Sequence, residues 1–71
     1  MSWIKETDNR WHLNCRVSPK GKSYEHEFTA SIIKREDGLE LLLPDPDTII
    51  KGDMQKVNNI LREIELPTFE S

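Results

Sequence analysis

A single cysteine, Cys15, stands in this chain of 71 residues. One thiol cannot close an intramolecular disulfide, and it cannot supply a zinc site built from four cysteines. No apolar run approaches the roughly 20 residues that cross a bilayer. The first residues, Met1–Glu6, also lack the charged-then-apolar layout of a signal peptide. We therefore expect a cytoplasmic protein without membrane contact, stabilised by packing.

Apolar residues are scarce as well, at 35% of the chain against 32% charged residues. A chain this short supports one domain, residues 1–71, because smaller pieces bury too little surface to fold. The net charge of −3 is unevenly distributed. Residues 1–35 hold seven Lys/Arg and four Asp/Glu (+3), whereas residues 36–71 hold three and nine (−6). Such asymmetry can mark an anionic partner at one end of the molecule and a basic partner at the other.

Two stretches alternate apolar and polar residues with the two-residue period of a half-buried strand. They predict strands over 11–18 and 23–35, joined by a turn that contains Pro19 and Gly21. A four-residue loop at 19–22 sets Cys15 opposite His26. The same register gives the further pairs Val17–Tyr24, Leu13–Phe28 and Trp11–Ala30 on the inner face, and Arg16–Glu25 on the outer face.

The dipeptide Asp37-Gly38 predicts a second hairpin whose returning strand covers 39–43. With the turn at 37–38, Ile32 faces Leu43 on the core side and Ile33 faces Leu42 on the outer side. Upstream, residues 3–6 can form an edge strand through a turn at Asp8-Asn9, which places Ile4 beside Leu13.

The segment Pro44–Asp47 is expected to stop the sheet. Asp53 then offers a cap for a helix over 53–65, followed by a tail over 66–71. Helical spacing puts Met54, Val57, Ile60, Leu61 and Ile64 on one apolar stripe. The expected fold class is α+β, with a three- or four-stranded antiparallel meander and one C-terminal helix packed on one face.

Catalytic chemistry has one candidate, because the predicted register brings Cys15 beside His26 as a thiol next to a base. No acid is predicted to orient the imidazole, and both residues would lie under the helix and not in a cleft. A buried cysteine usually acts as a small apolar residue. We therefore expect no enzyme, no cofactor and no metal site, and a Cys15-dependent enzyme or redox switch is the third hypothesis.

The first hypothesis is a small non-catalytic interaction or regulatory module. The outer pair Ile33 and Leu42 lies on an otherwise polar face, and the tail residues Leu66 and Phe69 can join it as a contact for another protein. The tail can equally fold back and cover the pair. A homodimer through this face, or through the edge of strand 39–43, is the symmetric form. The acidic helix is the other surface proposed for a partner.

The alternative hypothesis is a nucleic-acid-binding domain. Basic residues with aromatic residues among them can hold phosphates and stack bases. Six cations of the sheet half are the candidate contacts: Arg10, Arg16, Lys20, Lys22, Lys34 and Arg35.

Overall fold

The computed structural model describes residues 2–17, 21, 23, 26–44 and 47–70, with only the backbone for Val17, His26 and Asp47. Five antiparallel strands precede one helix. In chain order the elements are β1 (Ile4–Thr7), β2 (Arg10–Val17), β3 (His26–Arg35), β4 (Gly38–Pro44), β5 (Asp47–Gly52) and α1 (Met54–Glu63). The strands lie side by side in the order of the chain, so β1 and β5 form the two edges. The α+β class and the meander are confirmed.

The number of strands differs from the prediction, because β5 was missed. The sheet does not stop after Pro44, since β4 ends there and the chain returns as a fifth strand. This strand pairs with β4 from Pro44↔Asp47 to Leu39↔Gly52. Its centre, Thr48-Ile49-Ile50, consists of β-branched residues, which fit a pleated and half-buried surface. Proline is tolerated at the end of a strand, so Pro44 was no evidence against a continuation.

The first hairpin has the predicted faces but a different register. Cys15 lies opposite Phe28, Leu13 opposite Ala30 and Trp11 opposite Ile32. The predicted pairs are therefore wrong by two residues along β3, and Arg16 faces Glu27 instead of Glu25. A slip of two residues keeps every side chain on its own face, so alternation alone cannot detect it. The predicted turn at 19–22 lies mostly outside the described residues, as does Tyr24.

The second hairpin turns one residue earlier than predicted. Its turn residues are Glu36 and Asp37, and Gly38 pairs with Arg35 as the first residue of β4. As a result Ile32 faces Leu41 and not Leu43, and Ile33 faces Glu40. The predicted Ile33–Leu42 pair is therefore wrong, since Ser31 is the residue opposite Leu42.

The edge strand β1 exists, with the turn at Asp8-Asn9 as predicted. It covers 4–7 instead of 3–6, and Ile4 lies opposite His12 and not beside Leu13. An irregularity in the register between Lys5 and Thr7 interrupts its pairing with β2.

Glycine is required at position 38 because of a close approach between β4 and β5. Gly38 has φ +150°, and a Cβ atom built there would lie 2.8 Å from the backbone oxygen of Gly52. Any larger residue would force the two strands apart, and with them the start of α1.

Helix α1 begins after Asp53, whose Oδ1 accepts a hydrogen bond from the Lys56 backbone N–H at 2.9 Å. The predicted cap is confirmed. The apolar stripe is only partly buried: Val57 and Leu61 are inaccessible, whereas Met54 and Ile64 are 36% and 44% exposed. A smaller part of the helix surface is therefore buried in the core than the sequence pattern predicts. The helix packs against β4 and β5.

The C-terminal tail completes the core on the inner face. Glu65 adopts φ 61°, and the backbone N–H groups of Glu65 and Leu66 donate to the oxygens of Arg62 and Leu61. This is a Schellman motif, which turns the chain back over the sheet. Phe69 is fully buried and packs edge-on against Trp11, with ring centroids 4.9 Å apart.

Polar contacts hold this tail in place. Asn58 donates from Nδ2 to the Phe69 backbone oxygen at 2.9 Å, and the Phe69 N–H donates to Asn58 Oδ1 at 2.6 Å. Trp3 Nε1 donates to the Pro67 oxygen at 3.0 Å. The helix and the tail together therefore cover the inner face of the sheet.

Candidate interaction surface

The outer face of the sheet carries the residues that alternate with the core. Trp11, Leu13 and Cys15 of β2 are buried on the inner face, so His12 and Asn14 point outward. Directly opposite residues of neighbouring strands share a face, and the observed registers therefore extend this assignment across the sheet.

One row of directly opposite residues crosses all five strands on the outer face. We call it the outer row, and it consists of Ile4, His12, Ser31, Leu42 and Ile49. Its ends are the most exposed large apolar side chains among those that the structure describes in the sheet, with Ile4 49% and Ile49 60% accessible. Leu42 is half-buried and lies directly opposite Ile49, and side chains at directly opposite positions on one face interact. The outer row thus places apolar surface on a face that alternation would leave polar.

Ile33 adds to this surface from the neighbouring row. It lies opposite Glu40, and Leu42 is two residues further along β4, so Ile33 and Leu42 are diagonal neighbours. Diagonal partners remain within reach of long side chains. Two of the three residues predicted for partner binding, Ile33 and Leu42, are therefore brought together on the outer face, although by a different pairing.

Phe69, the third predicted contact, lies elsewhere. It is fully buried on the inner face between Trp3 and Trp11, and Leu66 is 9% exposed in the same core. The prediction that these tail residues join the outer pair is wrong, and so is the alternative that they cover it. No local pattern in the sequence distinguishes the two faces for so short an apolar tail.

Charged residues next to the outer row are neutralised in pairs. Arg10 Nε lies 3.3 Å from Glu6 Oε2, and Glu6 Oε1 lies 2.5 Å from His12 Nδ1, although that contact is not aligned as a hydrogen bond. On the same face, nearer to β5, Arg35 Nε is 3.3 Å from Glu40 Oε1, which Lys51 Nζ approaches at 4.0 Å. Ion pairs near the surface contribute little stability, but each carboxylate lowers the positive potential of the cations around it.

The candidate nucleic-acid contacts therefore do not form a free basic patch in the described residues. Arg10 and Arg35 are paired as above, and Arg16 lies 2.9 Å from Glu27. Lys34 is exposed, but its position opposite Leu39 puts it on the other face of the sheet from these arginines. Lys20 and Lys22 fall outside the described residues.

The thiol of Cys15 is buried, with 2% of its surface accessible, and its Sγ donates to the Leu13 oxygen at 3.6 Å. Burial raises the pKa of Cys15, and a backbone hydrogen bond at Ala30 opposes that rise only in part. The predicted pairing with His26 is wrong, because Phe28 takes that position. A buried thiol of raised pKa is a poor nucleophile.

No group of three or more His, Cys, Asp or Glu side chains in the described part of the chain is arranged to hold a metal ion. Among the same residues there is no helix long and apolar enough to cross a membrane. The helix is also less acidic than predicted: within α1, Lys56 and Arg62 outnumber the single acid Glu63.

Comparison with protein-family models, curated proteins and solved structures found no match to this chain. The candidate site consequently consists of what the geometry itself provides: a row across a five-stranded sheet that has an exposed isoleucine at each end and is bordered by ion pairs.

Proposed function

We propose that this protein is a small, non-catalytic interaction module that binds another protein through the outer face of its sheet. The observation that carries the proposal is the outer row, in which Ile4 and Ile49 stay about half exposed at opposite edges while Leu42 lies between them.

The apolar character of this face favours a partner. In an antiparallel sheet with one covered face, the other face is normally polar. Here the helix and the tail occupy the inner face, so neither of them shields the outer row. Fully burying an isoleucine contributes about 1.5–3 kcal/mol, so completing the burial of Ile4 and Ile49 adds roughly 1 kcal/mol each on binding.

The border of the outer row suits protein recognition. One side of the outer row carries charges of both signs, from Glu6, Arg10, Glu40 and Lys51. On the other side of the outer row, Thr29 Oγ1 donates a hydrogen bond to Asn14 Oδ1 at 3.2 Å. Protein interfaces commonly combine an apolar centre with a polar rim of this kind. A nucleic-acid surface needs unpaired cations, which the ion pairs of Arg10, Arg16 and Arg35 do not provide.

The test is a matched pair of substitutions. Ile4→Asp puts a charge into the outer row, and Ile64→Asp puts the same charge at a similarly exposed isoleucine of the helix end, 44% accessible against 49%. Candidate partners are captured from the source cell with and without nuclease. Each is then purified, and its affinity for wild type and for both variants is measured by titration calorimetry, with circular dichroism as the check of folding.

The expected result is a partner protein that survives nuclease treatment and binds at least about tenfold more weakly to Ile4→Asp, which corresponds to roughly 1.4 kcal/mol. The Ile64→Asp control should bind like wild type. Loss of binding only in Ile64→Asp would move the site to the helix. Binding that depends on nucleic acid and falls steeply with salt would replace the proposal by the alternative hypothesis.

A further inference from the structure

A second row of residues borders the outer row on the same face of the sheet. Four of its members lie directly opposite one another on β2 to β5, and they are Arg10, Ile33, Glu40 and Lys51. At the β1 edge Glu6 joins them, because its Oε2 lies 3.3 Å from Arg10 Nε. We call these five residues the charged row. From β1 to β5 their side chains are, in order, negative, positive, neutral, negative and positive.

This order of charges is complementary to itself. A half-turn about an axis along β3 exchanges β1 with β5 and β2 with β4, because the strands lie in chain order. Glu6 would then face Lys51 of a second copy, and Arg10 would face Glu40. Both contacts oppose unlike charges, and each occurs twice. Ile33, the neutral centre of the charged row, would meet its own copy.

The outer row has the matching symmetry in its apolar residues. Its two exposed isoleucines, Ile4 and Ile49, lie at opposite edges of the sheet, so the same half-turn sets one against the other. Leu42 would meet His12 of the second copy, and Ser31 would lie on the axis. Apolar contacts would therefore form at both edges of the face.

We infer that a second copy of this chain binds the outer face, sheet against sheet, about a two-fold axis parallel to β3. Such an isologous interface needs a surface that is complementary to itself, which the charged row and the outer row both provide. The strands of the two sheets would run nearly parallel, as in aligned sheet packings. The inference rests on the outer row that carries the proposed function. It also goes beyond that function, because a second copy and a different partner exclude each other on this face.

The other two-fold axis that brings two outer faces together runs along the outer row. It would set the charged row of one copy against the row that contains Asn14 and Thr29 in the other, and the unlike charges would not meet. The axis parallel to β3 brings Arg35 near its own copy as well. Both oxygens of Glu40 lie within 3.4 Å of nitrogens of that guanidinium and offset its charge.

The outer face is large enough for such a dimer. Five strands spaced about 4.8 Å apart make it about 24 Å wide. The rows through Ile33, Ser31 and Thr29 extend it about 20 Å along the strands. Two footprints of this size bury roughly 1,000 Å², the lower limit of a specific interface. The dimer is therefore expected to depend on protein concentration.

The test measures the molar mass of the whole protein by sedimentation equilibrium across a concentration series. Wild type should pass from monomer to dimer. Lys51→Glu and Glu6→Lys each oppose like charges twice, and each should weaken the dimer at least about tenfold. Lys34→Glu is the matched control, since Lys34 is exposed on the other face of the sheet, and it should dimerise like wild type. Circular dichroism checks that every variant is folded.

Combining the two substitutions distinguishes a contact between copies from a loss of stability. Each substitution places like charges side by side within one chain, so the double variant Glu6→Lys with Lys51→Glu is no more stable than the single variants. Between copies, however, it opposes unlike charges again, and its dimer should return. An equimolar mixture of the two single variants should also form a mixed dimer, although neither dimerises well alone.

A cross-link checks the orientation of the two sheets. Sheets packed face to face lie about 10 Å apart, which a short bis-maleimide bridges. A mixture of Ile4→Cys and Ile49→Cys should give a covalent mixed dimer. Each variant alone should give none, because copies of the same edge lie about 20 Å apart or more. Buried Cys15 should not compete.

A protein that stays monomeric at every concentration overturns the inference, and so does a double variant that fails to dimerise. A dimer that is insensitive to Lys51→Glu and Glu6→Lys overturns it too. A cross-link in Ile4→Cys alone would show the axis along the outer row and would likewise overturn it. None of these results concerns the proposed function, which is measured as the affinity of a captured partner for Ile4→Asp. Conversely, a dimer restored by the double variant stands even if Ile4→Asp leaves partner binding unchanged.

Discussion

Replacing Phe69 by alanine should remove a large part of the stability of this domain. The side chain is inaccessible to solvent and packs edge-on against two tryptophans, with ring centroids 4.9 Å from Trp11 and 6.0 Å from Trp3. Truncation of a buried phenylalanine costs about 3–5 kcal/mol through lost transfer free energy and the cavity left behind.

That cost is large for so short a chain. Domains have about 0.05–0.15 kcal/mol of stability per residue, which is roughly 4–11 kcal/mol for 71 residues. Phe69→Ala therefore removes between about a quarter and all of the free energy of unfolding, although Phe69 is the third residue from the end of the sequence. If the stability of the wild type lies near 4 kcal/mol, the variant is unfolded in buffer.

The assay is urea unfolding followed by tryptophan fluorescence, since both tryptophans contact the substituted ring. With a slope of about 1 kcal/mol per molar urea for a small domain, the midpoint should fall by about 3 M or more. Thr68→Ala is the control, because Thr68 is exposed and its loss should change stability by less than about 0.5 kcal/mol. If Phe69→Ala lowers the free energy of unfolding by less than about 1 kcal/mol, the conclusion that the tail is part of the core is wrong.

Three further predictions concern the same end of the molecule and the thiol. Asn58→Ala should cost about 1–3 kcal/mol in urea unfolding, because it orphans the backbone N–H and oxygen of Phe69, whereas exposed Asn59→Ala should cost less than about 0.5 kcal/mol. Glu65→Gly should raise the free energy of unfolding by up to about 1 kcal/mol, since φ 61° strains any residue with a Cβ; a loss of stability would contradict the left-handed geometry. Cys15 should react with iodoacetamide slowly at neutral pH, because its raised pKa lowers the thiolate fraction, and faster at higher pH or in urea; rapid reaction of the folded protein would reinstate a reactive thiol.

Local patterns were sufficient for the elements that repeat a period. Alternation from Trp11 to Val17 and around Ala30 gave the inner faces of β2 and β3 correctly, because one buried face imposes a period of two on a strand. The bounds were less accurate, since the predicted strands 11–18 and 23–35 are Arg10–Val17 and His26–Arg35. The apolar spacing after Asp53 located the helix, and the carboxylate of Asp53 caps it. The position of Ile33 and Leu42 on the outer face followed from the same reasoning, although the predicted pairing between them was wrong.

Other features depended on contacts between segments distant in the chain. The predicted registers of both hairpins were wrong by two residues. Such a shift leaves every side chain on its own face, so the alternation of apolar and polar residues cannot reveal it. The fifth strand was missed because it follows Pro44 and Pro46, and prolines commonly end a strand. The β-branched residues Thr48-Ile49-Ile50 are nevertheless typical of a strand.

The sequence by itself determined which residues alternate, which segment is helical and which face of β2, β3 and β4 is apolar, because those properties arise within a few neighbouring residues. Only the tertiary structure decided that Phe69 belongs to the core, that β5 is an edge and that Ile4, Leu42 and Ile49 share one row. The physical reason is that burial of a tail and the alignment of five strands are set by the summed packing of distant segments, which no local period encodes.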